Sequence, residues 1–141
     1  MAINKFILKK ITKTRPLVCL TAYNTYIAKI IDDFCDIILV GDSLGMVLYG
    51  ENTTRKVTID MMISHGKAVK KGIKKSIFVI DMPIGTYEKS PAIALKNATK
   101  IINMTGCDAV KLEGGVEISK TIRNLVKNKI SVMAHIGLQP Q

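Results

Sequence analysis

The chain has 141 residues and a mass of 15.5 kDa; 48% of its residues are hydrophobic and 23% charged. That is enough for one domain with a filled core and argues against wholesale disorder or two sizeable domains, yet it falls short of the ~250 residues typical of a closed (β/α)8 barrel. The formal charge of +10 comes from eighteen Lys and three Arg against eleven acids, spread in short pairs such as Lys70-Lys71 and Lys74-Lys75; with Arg so scarce and no dense basic tract, a nucleic-acid interface is disfavoured.

In chain order, the basic, acid-free stretch Met1 to Pro16 reads as a short leading helix. It lacks the Arg and Ser enrichment of a transit peptide and the cleavage site of a signal peptide. Leu17 to Leu20 reads as a strand, and Thr25 to Phe34 as a helix. Asp36 to Val40 is a buried strand closed by Gly41-Asp42-Ser43. A glycine-containing loop leads to a helix over Thr58 to Lys71, with Thr58 as its cap and Asp60 in its first turn. Ser76 to Ile80 is the third strand, ending at Asp81-Met82-Pro83. Ser90 caps a helix over Pro91 to Met104, with Pro91 at the first helical position. Asp108 to Leu112 is the fourth strand, opening into Glu113-Gly114-Gly115. Glu117 to Lys127 is helical, and Ile130 to Ala134 is the fifth strand, leading to His135-Ile136-Gly137.

Strands that are aliphatic on both faces and alternate with helices specify an α/β chain, a single domain over 1–141, built on a parallel sheet. With 21 Ile and only seven aromatic residues, its core is largely aliphatic. Two closures fit: a flavodoxin-like doubly wound sheet, or the first five βα units of a barrel. The doubly wound sheet needs a final helix over its last strand, where only Gly137 to Gln141 remain. The cysteines Cys19, Cys35 and Cys107 are odd in number and widely spaced. They indicate neither a disulfide framework nor a zinc site, and fit reduced thiols in a cytoplasmic protein. The aliphatic run Ile37 to Val40 is far too short to cross a membrane.

Polar residues recur where each strand ends: Asp42 and Ser43, Asp81, Lys111 and Glu113, and His135. In parallel α/β folds the carboxyl ends of the strands form the active-site face. Three carboxylates converging there repel one another unless a cation lies between them, and oxygen-only ligation suits Mg2+. Any one of these acids, alone, is equally a helix cap or a turn residue.

The segments Gly41-Asp42-Ser43-Leu44-Gly45-Met46-Val47, Asp81-Met82-Pro83-Ile84-Gly85-Thr86-Tyr87, Asp108-Ala109-Val110-Lys111-Leu112-Glu113-Gly114-Gly115 and His135-Ile136-Gly137-Leu138-Gln139-Pro140-Gln141 resemble those of the ketopantoate (3-methyl-2-oxobutanoate) hydroxymethyltransferase family. Leu20-Thr21-Ala22-Tyr23, Val57-Thr58 and His65-Gly66-Lys67-Ala68-Val69 fall in the same order, so the resemblance spans essentially the whole chain. It implies a (β/α)8 TIM barrel, here about the first five βα units, in a pantothenate-pathway transferase. The implied reaction moves a hydroxymethyl group from 5,10-methylenetetrahydrofolate to 3-methyl-2-oxobutanoate, giving 2-dehydropantoate. The resemblance assigns Asp42, Asp81 and Glu113 to Mg2+, and Asp42, Ser43, Asp81 and Lys111 to the 2-oxo acid. His135 sits at the pocket mouth as a hydrogen-bonding or structural residue.

The same resemblance puts the proton acceptor on a glutamate beyond residue 141, so turnover by this chain alone is expected to be absent or very weak. It also implies a large homo-oligomer, a decamer, if the barrel is completed, for instance by a complementing C-terminal fragment. Departures from the family pattern are Asn24 for an aspartate, Ile84 for a phenylalanine and Gln139 for a threonine. Two rival readings remain: a Mg-dependent 2-oxo acid enzyme of the phosphoenolpyruvate/pyruvate barrel group, and a catalytically inactive or split-enzyme fragment.

Overall fold

The computed structural model describes residues 15–139 and 141. The leading helix expected over Met1 to Pro16 lies almost wholly outside the described residues. The elements in chain order are β1 (Cys19–Thr21), α1 (Thr25–Ile31), β2 (Ile37–Val40), α2 (Leu44–Tyr49), α3 (Ile59–Lys70), β3 (Ile77–Asp81), α4 (Pro91–Thr105), β4 (Ala109–Glu113), α5 (Ser119–Lys127) and β5 (Val132–His135). Short 3-10 turns cover Thr54–Lys56 and Val116–Ile118.

All five strands are parallel and lie in the order β1-β2-β3-β4-β5. That sequential order excludes the flavodoxin arrangement, in which the first strand lies between the second and third. It is the order of a barrel wall.

The helices begin where local chemistry says they should. Thr58 accepts from Met61 N and Ser90 from Ile93 N, each at 3.2 Å, and Pro91 opens α4 where a missing N–H costs nothing. Asn24 accepts from Ile27 N at 3.0 Å to cap α1. An aspartate would serve that position equally, so the departure at Asn24 leaves the helix start intact. The expected first helix ends three residues early, at Ile31, because Asp32 turns its side chain onto the backbone of residues 74–76. The six-residue α2 carries no periodic apolar signal long enough to show in the sequence.

Side chains alternate across the sheet. Ile38, Val40, Phe78, Ile80, Val110 and Leu112 are fully buried against the helices, together with Met62, Val69, Ala94, Ala98, Ile101 and Leu125. Phe78 and Tyr87 are the aromatic members of an otherwise aliphatic cluster. The opposite face carries a smaller cluster of Ile37, Ile77, Val79 and Ala109, with Leu39 and Met133 against it. Continuing that second face by steps of two along β3, β4 and β5 leads to Asp81, Lys111, Glu113 and His135. The apolar rows and the polar residues thus share one face, and the polar ones crowd its carboxyl edge.

Candidate functional site

Register places the polar residues side by side. Asp81 pairs with Lys111 across β3 and β4, and Glu113 with His135 across β4 and β5. A cleft of about 410 Å³ opens at this edge, lined by Asp42, Ser43, Asp81, Lys111, Glu113 and His135, with Leu39, Gly41, Met46, Thr54 and Leu138. All six residues singled out from the sequence therefore meet in one cavity.

Lys111 is the hub. Its Nζ lies 2.8 Å from Asp81 Oδ1 and 3.3 Å from Glu113 Oε1, with side chains only 13%, 4% and 6% exposed. Burial by itself would favour the neutral amine. The charges of Asp81 and then Glu113 outweigh it and raise the Lys111 pKa, so the ammonium is held firmly charged. Asp81 Oδ2 accepts from the backbone N–H of Asp42 at 3.2 Å. Even so, burial pushes the Asp81 carboxyl up to about 6, against the pull of Lys111. Burial also raises Asp42, opposed by its bond from Gln141, with Glu113 adding to the rise.

Two of these carboxylate oxygens are incompletely satisfied. Glu113 Oε2 and Asp81 Oδ1 are buried without an aligned hydrogen bond, the latter despite its ion pair with Lys111. Among the described residues, no three His, Cys, Asp or Glu side chains form a ready-made ion-binding group. The physical reason is visible. The Lys111 ammonium sits between Asp81 and Glu113, and the Gln141 amide donates to Asp42 Oδ2 at 2.6 Å. An all-oxygen donor set with buried, under-satisfied carboxylate oxygens fits a small hard cation that keeps much of its water and takes few protein ligands.

Residues that were not singled out complete the site. Ser43 precedes α2 but makes no capping bond. Its hydroxyl instead lies 2.7 Å from the Tyr23 hydroxyl. His65 holds Tyr23 in turn: its Nδ1 lies 2.8 Å from Tyr23 O, and a carbonyl only accepts, so Nδ1 carries the proton. In the neutral ring, Nε2 then accepts from the Tyr49 hydroxyl at 3.0 Å. The buried Tyr87 hydroxyl accepts from Glu113 N at 3.2 Å and lies 2.9 Å from Glu113 O and 2.6 Å from Gln141 Oε1. One hydroxyl proton serves those two oxygens in turn, tying β4 to the segment that reaches Asp42. Tyr23, His65, Tyr87 and Gln141 all lie inside the motifs, but their partners are 16 to 99 residues away in sequence.

Gly41 leaves room for the Ser43 hydroxyl. A Cβ there would stand 3.0 Å from Ser43 Oγ and 3.5 Å from Asp81 Oδ2, intruding on the cleft. His135 lines the cleft and uses Nε2 to donate to Leu138 O at 2.6 Å.

The family model for ketopantoate hydroxymethyltransferase matches residues 2–141. The chain belongs to that family. It is 60% identical over 127 residues to 3-methyl-2-oxobutanoate hydroxymethyltransferase of Rhizobium etli, covering 90% of this chain and 46% of the relative. It is 56% identical over 134 residues to the enzyme of that name from Pelagibacter ubique, covering 95% and 51%. The chain thus spans about half the length of the curated relatives it matches. Among solved structures it resembles phosphonopyruvate hydrolase in complex with oxalate and Mg++, with a TM-score of 0.71 at 12% identity over 95% of this chain and 52% of that one. It also resembles 2,3-dimethylmalate lyase of the PEP mutase/isocitrate lyase superfamily, with a TM-score of 0.65 at 11% identity over 95% and 51%. At such low identity these two likenesses establish the fold: five βα units of a TIM barrel.

Proposed function

We propose that this cleft binds 3-methyl-2-oxobutanoate together with Mg2+. It thereby serves the transfer of a hydroxymethyl group from 5,10-methylenetetrahydrofolate that yields 2-dehydropantoate. The observation that carries the reading is the buried Lys111 ammonium flanked by Asp81 and Glu113, with under-satisfied carboxylate oxygens facing one cavity.

Asp42, Asp81 and Glu113 would hold the metal, directly or through its waters. A bound divalent cation supplies Lewis acidity, polarising the ketone and stabilising negative charge that develops on its oxygen. The remaining work falls to the chain itself. Lys111 presents a fixed positive charge, worth far more in a water-poor cleft than at a surface. Ser43, with its hydroxyl oriented by Tyr23, donates to the substrate carboxylate. With the three carboxylates committed to the metal and Lys111 protonated, the proton on C3 is taken by a base outside this set.

Calorimetric titration of the purified chain with 3-methyl-2-oxobutanoate tests the binding half of this reading. Saturable binding that requires Mg2+ and is abolished by Asp81→Asn is the expected result. No binding at millimolar ligand and Mg2+ would overturn it.

A further inference from the structure

Three buried side-chain oxygens lack a hydrogen-bond partner among the described residues, and all three belong to residues lining the one cleft: Asp81 Oδ1, Glu113 Oε2 and Thr54 Oγ1. The first two have charged neighbours that explain their positions. Thr54 does not.

Thr54 is 1% exposed and opens the 3-10 turn Thr54–Lys56. The cap of that turn is Thr53, whose side chain accepts from Arg55 N at 3.3 Å. The structural duty of Thr54 is discharged by its backbone, whose carbonyl accepts from Val57 N at 3.0 Å. Its hydroxyl is therefore spare. Burying a hydroxyl without a partner is unfavourable, and a valine of nearly the same shape would fill the space without that penalty. A threonine here makes sense when the hydroxyl gains a partner that the described residues do not supply.

We propose that Thr54 is a ligand-binding residue whose hydroxyl donates to a carboxylate oxygen of the bound 2-oxo acid, beside Ser43. The chemistry of the cleft favours that acceptor. Its walls carry three carboxylates, so an anionic ligand needs donors that add no negative charge, and Ser43, Thr54 and Lys111 are the donors among the lining side chains apart from the ring of His135. This assignment rests on the function proposed above and adds a contact to it.

Two variants separate binding from structure. Thr54→Val removes the hydroxyl and keeps the shape; Thr54→Ser keeps the hydroxyl. Each is titrated with 3-methyl-2-oxobutanoate in the presence of Mg2+, and thermal unfolding is followed without ligand. Thr54→Val should bind about tenfold more weakly than the unaltered chain while unfolding at the same or a higher temperature, and Thr54→Ser should bind within about twofold of it. Unchanged affinity in Thr54→Val overturns the assignment and leaves the proposed function standing. A lower unfolding temperature in ligand-free Thr54→Val also overturns it, because the hydroxyl then serves the fold. An unaltered chain that binds no 2-oxo acid overturns the proposed function, and this assignment with it.

Discussion

The two ends of the sheet use the same residue type in opposite ways. At the amino end, Asp32 accepts from the backbone N–H groups of Lys74, Lys75 and Ser76 at 2.8, 3.0 and 2.9 Å. Asp36 accepts from Val18 N at 3.1 Å and pairs with Arg15, and Asp108 accepts from Phe78 N at 2.8 Å. At the carboxyl end, Asp42, Asp81 and Glu113 face a cleft, and two of their oxygens have no aligned partner. The pKa directions follow. Burial disfavours the charged form of Asp32, yet the backbone donors outweigh it and its pKa falls, whereas burial wins at Asp81 and Asp42 and theirs rise. An acid at the first end completes the backbone; an acid at the second is held ready for something else.

The widest separation between the ends should appear on removing one acid from each. Asp32→Ala strands three backbone donors and should destabilise the fold by about 4 kcal/mol, read as a lower denaturant midpoint. Asp42→Asn should leave stability within about 1 kcal/mol, since its partner is a side-chain amide that can bond an amide as well. Its affinity for 3-methyl-2-oxobutanoate with Mg2+ should nonetheless fall at least about tenfold. If Asp42→Asn unfolded as readily as Asp32→Ala, the contrast would be broken.

Acid titration sharpens the contrast by sign. The Asp81 pKa is raised from 3.8 to about 6, so between those values the folded chain holds a proton that the unfolded chain has lost. Stability from this group is therefore greatest below pH 3.8 and declines as pH rises through about 6, by about 3 kcal/mol in all. Asp32 does the reverse: its lowered pKa adds stability that is present above pH 3.8 and lost as pH falls through its folded value. Metal-free unfolding measured from pH 3 to pH 7 should show the decline between pH 4 and 6 in the unaltered chain. In Asp81→Asn that decline should be markedly smaller, with only the contribution of Asp42 remaining.

Much of this was legible in the sequence because it is local. The five aliphatic bursts gave strands, Thr58 and Ser90 marked helix starts, and the acids closing the second, third and fourth bursts marked the edge where the cleft opens. Boundaries moved where long-range partners intervened: Asp32 ended α1 early, and β1 and β5 sit one or two residues later than the apolar runs suggest. The short α2 escaped notice because six residues hold too little periodicity, although Gly45 within it lies where a Cβ would stand 2.6 Å from Val57. What no spacing rule reveals is which acids are structural. Asp36 and Asp108 precede strands and Asp42 and Asp81 end or follow them, and only the parallel register turns that difference into opposite ends of a sheet. Tyr23, Thr54 and Tyr87 were opaque for the same reason, since their roles depend on contacts made or left unmade across the fold.

The smallest expected effect concerns Tyr23, and it tests how finely the carboxyl end is organised. Its hydroxyl lies 2.7 Å from Ser43 Oγ, while its backbone carbonyl is bonded to His65. Tyr23→Phe therefore removes the orienting bond and keeps the anchor. Stability should be nearly unchanged, and affinity for the 2-oxo acid should fall about threefold as Ser43 gains rotational freedom. A double-mutant cycle identifies the route. If Tyr23 acts through Ser43, the loss disappears when Tyr23→Phe is made in a Ser43→Ala background. An equal loss in both backgrounds would mean that Tyr23 meets the ligand itself, and the polar residues at this end would then act singly rather than as one connected set.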